Sequence, residues 1–393
     1  MMTSRKPIYL DYCATTPCDP AVVEAMQPFF TTYFGNASSA SHIFGWQAAE
    51  AVQIAREQIA QLIHASPDEI IFTSGATEAL NLAIQGIYAY YGGISNHLIS
   101  CTTEHHAVLD TLQFLEQHRG ARVTYLPVDS GGKIDLDELE NAITDKTILI
   151  CLMYANNETG VLHPVKAIAE IAHRHGIPFL TDATQAAGIL PVDVETDGID
   201  LMAMSAHKMY GPKGIGALFI RKRFQGRKLQ LIPLLHGGGQ EKGWRSGTLN
   251  VPAIVGFGKA AELAMQSREI TAMQLKKLRD ALESALSEAG CIIHAYDEPR
   301  LPHVSHVYTP GVPSRILIPA LATELALSAG SACSSATGKP SHVLKAMGMS
   351  DEEAFSSLRI SLGRFTTAED VQLAANMLIQ AIHKLRKQMT ENP

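Results

Sequence analysis

The stretch Leu201-Met202-Ala203-Met204-Ser205-Ala206-His207-Lys208-Met209-Tyr210-Gly211-Pro212-Lys213-Gly214 decides how this chain is read. Its first four residues form an apolar, strand-like run. A hydroxyl, an imidazole and an amine follow within four positions, and a glycine-rich turn closes the segment. A lysine that leaves a buried strand into a tight turn loses water. Desolvation lowers the pKa of an amine and makes it a nucleophile toward carbonyls, the state a Schiff-base lysine requires. The aldehyde cofactor that suits such a lysine best is pyridoxal phosphate (PLP). A lysine beside Gly and Pro is more often a solvated turn residue. The reading therefore depends on whether the rest of the chain supplies a phosphate cradle, a partner for a pyridine nitrogen and a ring-stacking group.

Working outward, strand-like and helix-like segments alternate from about residue 40 to residue 220. Strands are expected at 70–73, 97–101, 122–126, 147–153, 178–181, 201–204 and 215–220, with helices between them. Ala79, Ala83, Ile84 and Ile87 mark one helix face, Leu136, Leu139 and Ile143 another, and Pro164 opens a helix that stops near Gly176. This rhythm predicts an α/β fold with a mostly parallel seven-stranded sheet covered by helices on both faces. After about Val251 the pattern changes to a long helical stretch, then short strands at 304–308, 325–328 and 358–362 between helices. Thr366-Thr367-Ala368-Glu369 reads as the capping box of the last helix. The expected division is a large α/β domain over residues 16–258 and a smaller α+β domain from 1–15 and 259–393.

The bulk numbers narrow the classes. A chain of 393 residues with 46% hydrophobic and 18% charged residues can bury a large core. Its net charge of −7 argues against nucleic acid or an anionic membrane as the primary partner. Met1 to Tyr12 has no signal-peptide pattern and no apolar run is long enough for a bilayer, so a cytoplasmic location is expected. The six cysteines (Cys13, Cys18, Cys101, Cys151, Cys291 and Cys333) are scattered without a CxxC pair, so neither a zinc site nor a disulfide framework is expected. Cys101 and Cys151 read as inert core residues.

In an open α/β sheet, ligands bind at the carboxyl ends of the strands. Ser74-Gly75-Ala76-Thr77-Glu78 joins a strand to a helix there, and a helix N-terminus offers free N–H groups to a phosphate. Asp182 closes another strand, where a carboxylate can pair with a protonated pyridine nitrogen or cap the next helix. Thr103-Glu104-His105-His106 places a histidine where it could stack on a ring, though the same cluster could simply start the next helix, and a metal site is a weaker reading because no matching ligand set lies nearby. Asn156-Asn157-Glu158-Thr159-Gly160 adds polar groups at the same edge, though Asn and Gly also make plain turns. Each motif alone is weak. Together with Ser205 to Lys208 they form a constellation at one sheet edge.

With those motifs, the chain resembles the cysteine desulfurases of the class-V aminotransferase group, which have the fold-type I PLP-dependent transferase architecture. The resemblance runs from Tyr9-Leu10-Asp11 and Ala14-Thr15-Thr16-Pro17 through Phe34-Gly35-Asn36, Arg245-Ser246-Gly247-Thr248 and Gly330-Ser331-Ala332-Cys333 to Arg359 and Gly363-Arg364-Phe365. It implies that Lys208 carries PLP as a Schiff base, Asp182 pairs with the ring nitrogen, Gln185 faces the phenolic oxygen and His105 stacks on the ring. It further implies that Ala76, Thr77, Ser205 and His207 hold the phosphate. Thr248 would reach the phosphate of a neighbouring subunit, hence a homodimer. Arg359, Asn36 and Asn157 would bind the substrate carboxylate, a bidentate task that suits a guanidinium.

Cys333 lies among Ser, Ala and Gly residues, a loop with almost no packing side chains, which predicts exposure and mobility. A thiol so placed suits a group carrier. The resemblance then implies a reaction. L-cysteine is converted to L-alanine, Lys208 handles the Cα proton, His105 shuttles protons to the substrate, and Cys333 attacks as a thiolate and keeps the sulfur as a persulfide. A sulfur-acceptor protein, an iron–sulfur scaffold or a carrier for thio-cofactors or tRNA, would meet the Cys333 loop, which has the length found in group-I desulfurases. The chain ends at Pro393 without the C-terminal extension by which iron–sulfur desulfurases dock their scaffold, which leaves nitrogen-fixation, tRNA-thiolation and DNA-sulfur acceptors open. The alternatives are a selenocysteine lyase or a cysteine or cystine lyase of the same fold, or a non-catalytic sulfur-relay subunit. The last should have lost Lys208, Asp182 or His105, and all three are present.

Overall fold

The computed structural model describes residues 6–330 and 339–391. A short strand, β1 (Ile8–Tyr9), precedes the seven strands of the main sheet: β2 (Ile70–Thr73), β3 (His97–Cys101), β4 (Arg122–Leu126), β5 (Thr147–Cys151), β6 (Phe179–Asp182), β7 (Leu201–Ser205) and β8 (Gly216–Ile220). They lie in the order β2-β8-β7-β6-β5-β3-β4, and only β8 runs against the others. Of the inner strands, β3, β6, β7 and β8 are buried along their whole length and β5 in all but its first residue, which a sheet covered on both faces requires.

Alternation along each strand divides the core into two. Ile70, Phe72, Ile99, Cys101, Met202, Met204 and Phe219 face one cluster, which contains residues of the helices Ile43–Leu62 and Val251–Glu288. Their neighbours Ile71, Leu98, Leu201, Ala203, Leu218 and Ile220 face the other, with residues of the helices Ala76–Tyr91 and His106–Arg119. The period of two in the strands thus meets helical stripes on both sides.

A three-stranded antiparallel sheet carries the C-terminal half, with Val304–Tyr308 between Ile292–Ile293 and Ser357–Ser361. β1 pairs in parallel with Leu325–Ala326, and its Ile8 and the following Leu10 join the core of this half. The helix Val251–Glu288 serves both halves: Ala253 to Ala264 pack in the main core and Leu275, Leu282 and Leu286 in the smaller one. The expected boundary at 258/259 falls inside this single helix.

The last helix, Ala368–Glu391, starts one residue later than the sequence suggested. Thr367 Oγ1 accepts the Asp370 N–H and Asp370 Oδ2 accepts the Thr367 N–H, each at 3.1 Å. Thr366 is not the cap because its hydroxyl accepts the Gly363 N–H at 3.0 Å. Among the described residues no helix is long and apolar enough to cross a membrane.

Candidate active site

The carboxyl ends of β2, β3, β5, β6 and β7 open into one cavity of about 520 Å³, large enough for a cofactor with a small substrate. The strand order reverses about β3, since the chain goes to β4 on one side and then to β5 on the other. Such a switch point leaves a crevice for a ligand. His105, after β3, and Asn157, after β5, both line the cavity there.

Lys208 ends the single 3-10 turn Ala206–Lys208 that follows β7. Its Nζ donates to the backbone carbonyls of Cys13 and Ala14, the latter at 2.9 Å. Burial pulls the amine down to about 8, and Arg359 pushes in the same direction, while Cys13, Asp11 and Asp182 partly oppose them. About a tenth of this amine is therefore unprotonated at neutral pH, far more than for an ordinary lysine, and the fraction grows toward pH 8. The turn after it is strained. Tyr210 has a φ of +66° although it is not glycine. Its N–H donates to Thr16 Oγ1 and its hydroxyl accepts the Arg364 N–H. Strain of this kind persists only where the surroundings hold it.

Asp182 ends β6, with Oδ1 accepting the Thr184 N–H at 3.0 Å. Thr184 Oγ1 lines the same wall, buried and without a partner. Gln185 Nε2 donates to the Cys13 carbonyl at 3.1 Å. His105 caps the helix His106–Arg119: its Nδ1 accepts the Ala107 N–H at 3.0 Å. Burial lowers the pKa of His105, aided by the charge of Lys208 and opposed by Asp182, so the ring is neutral. The cap bond assigns the proton to Nε2. His207 Nδ1 lies 3.1 Å from Thr15 Oγ1, and burial, then Lys208 and Lys213, pull its pKa down to about 4.

At the other end of the cavity the helix Ala76–Tyr91 begins after Gly75 with no side-chain cap. First-turn N–H groups of an uncapped helix are free for an anion, and Ala76 and Thr77 line the cavity. The turn is close to the neighbouring strand. A Cβ on Gly216 would sit 2.7 Å from the Gly75 backbone, so glycine is required there.

Arg359 comes from the smaller sheet. It is buried, with Nη1 donating to the Asn157 carbonyl and Nη2 to Asp11 Oδ1, both at 2.8 Å, while Nε has no partner. A guanidinium has five N–H donors, so donors remain for a carboxylate.

The donor set fits PLP. It offers a desolvated amine, an uncapped helix N-terminus, a buried carboxylate at a strand end, an unpartnered buried hydroxyl and a histidine in one cavity. Of the residues expected from sequence, Ala76, Thr77, His105, Asn157, Asp182, Gln185, Ser205, His207, Lys208 and Arg359 line it. Asn36 and Thr248 do not; both are exposed on this single chain, and Asn36 Oδ1 accepts the Ser38 N–H. Cys333 lies outside the described residues. The sequence reading assigned no role to Thr15, to Asp11, to the Cys13 and Ala14 carbonyls, or to Glu78, whose carboxylate accepts the Ser74 N–H and binds Arg245. The segment from Tyr9 to Pro17 was the signal that could have found the first three.

The aminotransferase class-V family profile matches residues 8–373. A curated relative described as cysteine desulfurase IscS, from Neisseria meningitidis serogroup C / serotype 2a, is 50% identical over 387 residues, covering 98% of this chain and 95% of that protein. Another of the same description, from Anaeromyxobacter dehalogenans, is 48% identical over 386 residues, covering 97% and 94%. A solved structure described as a NifS-like protein superposes with a TM-score of 0.89 at 35% identity, covering 96% of this chain and 99% of that one.

Proposed function

This chain belongs to the class-V aminotransferase family and is a PLP-dependent cysteine desulfurase; from that premise we propose how its own residues divide the work. PLP supplies an electron sink that acidifies the α-carbon of an amino acid and weakens the bond from Cβ to sulfur. Lys208 would hold the cofactor covalently, Asp182 its ring nitrogen, Gln185 its phenolic oxygen and His105 its ring face. Ala76, Thr77, Ser205 and His207 would hold the phosphate.

Arg359 and Asn157 orient the L-cysteine carboxylate, with Asn36 contributed at the rim. Once released, the Lys208 amine takes the Cα proton, as its lowered pKa allows. The Cys333 thiolate attacks the substrate sulfur. A sulfur–sulfur bond forms, the Cβ–S bond breaks, and its electron pair stays with the carbon skeleton, which is protonated to alanine. His105, neutral with its proton on Nε2, would donate a hydrogen bond or proton to the substrate. Dry, prearranged groups make these transfers cheaper than in water.

We read residues 16–258 as the large lobe, and 1–15 with 259–393 as the smaller one that carries the Cys333 segment. The pairing of β1 with Leu325–Ala326 supports that division. A homodimer is the assembly that fits the rim. Phe30, Phe34, Ile43, Phe44 and Trp46, around Asn36, are exposed, as are Leu234 and Leu235 near Thr248. Apolar surface of this kind marks an interface, and a second copy would cover it while bringing Thr248 to the phosphate. Sulfur would then pass from Cys333 to an acceptor protein in the cytoplasm.

The observation that carries the assignment of roles is Lys208, desolvated and placed in one cavity with Asp182, His105 and Arg359. The test supplies L-cysteine to the PLP-loaded protein and follows alanine, together with the mass of the Cys333 peptide. One added sulfur on that peptide and stoichiometric alanine are expected. In Cys333→Ser, alanine formation should fall by roughly two orders of magnitude or more with PLP still bound. Near-normal turnover in that variant removes Cys333 from the mechanism.

A further inference from the structure

The phosphate cradle contains a carboxylate that ought to repel a phosphate. Glu78 is the third residue of the helix Ala76–Tyr91 and lines the cavity together with Ser74 to Thr77. Its Oε2 accepts the Ser74 N–H at 2.7 Å and so shapes the turn from β2 into the helix. A negative charge here also uses up part of the positive potential of the helix N-terminus. Burial pushes the Glu78 carboxyl up, but the hydrogen bonds from Arg245 and Ser74 outweigh it and hold its pKa below the ordinary value. The group is charged.

Arg245 answers that charge. Its Nε donates to Glu78 Oε1 at 2.8 Å and its Nη2 approaches Oε2 at 3.4 Å. The two side chains are 22% and 17% exposed, so solvent screens the pair only in part. The loop that delivers Arg245 is itself anchored. Glu241, four residues earlier, is buried, accepts the Phe72 N–H at 2.7 Å and accepts from Nη1 and Nη2 of Arg56. Glu241 and Lys242 both have positive φ, at 48° and 57°. Two consecutive non-glycine residues in that region cost energy and are kept only where the surroundings demand it. The loop is therefore held by one ion pair to the helix Ile43–Leu62, with a hydrogen bond to β2, and by a second ion pair on the cradle.

We propose that Arg245 is a positioning residue for the cofactor: it cancels the charge of Glu78, which lets that carboxylate shape the phosphate turn without repelling the phosphate. The proposal rests on the PLP reading of the cavity. It makes a double-variant prediction that a merely structural contact would not.

The experiment measures binding of PLP, and of pyridoxal as the phosphate-free aldehyde, to the full-length apoprotein by equilibrium dialysis. Arg245→Met should raise the Kd for PLP about tenfold, the effect of one unscreened charge at this range in a partly solvated site. Glu78→Gln should leave it unchanged or lower it, and the double variant should return to within about threefold of the unmodified protein, because the neutral pair restores the balance. Pyridoxal binding should change less than about threefold throughout, since it has no phosphate to repel. If circular dichroism finds Arg245→Met unfolded, Arg245→Lys replaces it and should keep PLP affinity within about threefold, because the charge is retained. Equal loss in Glu78→Gln and Arg245→Met without recovery in the double variant overturns the proposal. So does an equal loss for pyridoxal, or an unchanged Kd in Arg245→Met. Failure of the unmodified apoprotein to capture PLP would instead overturn the cofactor reading.

Discussion

The strand-end wall of the cavity and its rim are built on opposite terms. Asp182, Ser205 and Arg359 are buried, and Lys208 is held by two backbone carbonyls. The rim segments around Asn36 and Thr248 lie on the surface, with Phe30 63%, Phe34 64% and Trp46 55% exposed. The difference separates two tasks. Groups that move protons need a fixed, dry setting, which only a packed core provides within one chain. Groups that close the site can come from surfaces that a second copy covers.

Substitutions on the two sides should separate them by size of effect. Lys208→Ala strikes the wall at its centre. Cysteine turnover should fall by about 10⁴ or more, and PLP should no longer stay attached through gel filtration, as read from its visible absorbance. Retained covalent PLP would move the nucleophile elsewhere. Arg359→Lys keeps the charge that answers Asp11 but loses the planar fork. The KM for cysteine should rise roughly 10- to 100-fold with a smaller change in kcat. A fall in kcat at unchanged KM would count against carboxylate binding.

At the rim, Thr248→Val removes one hydroxyl. PLP affinity should weaken about 3- to 10-fold, the net value of a typical hydrogen bond. The loss should appear only at protein concentrations where sedimentation finds the dimer. Loss in the monomer as well would place Thr248 in its own cavity and erase the distinction.

The pH dependence probes the wall without any substitution. Below about pH 8 Lys208 is an ammonium, so the rate at which the apoprotein captures an aldehyde should fall about tenfold per pH unit there and level off above. A midpoint near 10 would mean that the wall does not desolvate the lysine. The stability sign follows from the same shift. Between about pH 8 and the ordinary lysine value the unfolded chain binds the extra proton, so this group makes the apoprotein more stable as pH rises through that window. Lys208→Met should remove that rise in urea unfolding curves.

Much of the wall was legible because strand ends announce themselves. An apolar run followed by Ser, Asp or Gly marks where a βα turn must lie, and Ser74, Asp182 and Ser205 fall at such ends. The acceptors of Lys208 were not legible, since a backbone carbonyl has no residue identity and Cys13 reaches the lysine across 195 positions. The capping box of the last helix was misplaced by one residue because two adjacent threonines compete and only Gly363 decides between them. Glu78 read as part of a helix start, and its pairing with Arg245 spans 167 positions.

By itself the sequence determined the seven strands of the main sheet, most of the helices beside them and the side chains able to do chemistry, because hydrophobic period and turn composition act over a few residues. The tertiary structure alone decided which of those side chains share one cavity, which carry neutralised charges and which remain outside on a single chain. Desolvation and ion pairing depend on distance in space, and the fold sets that distance only after its two halves have packed together.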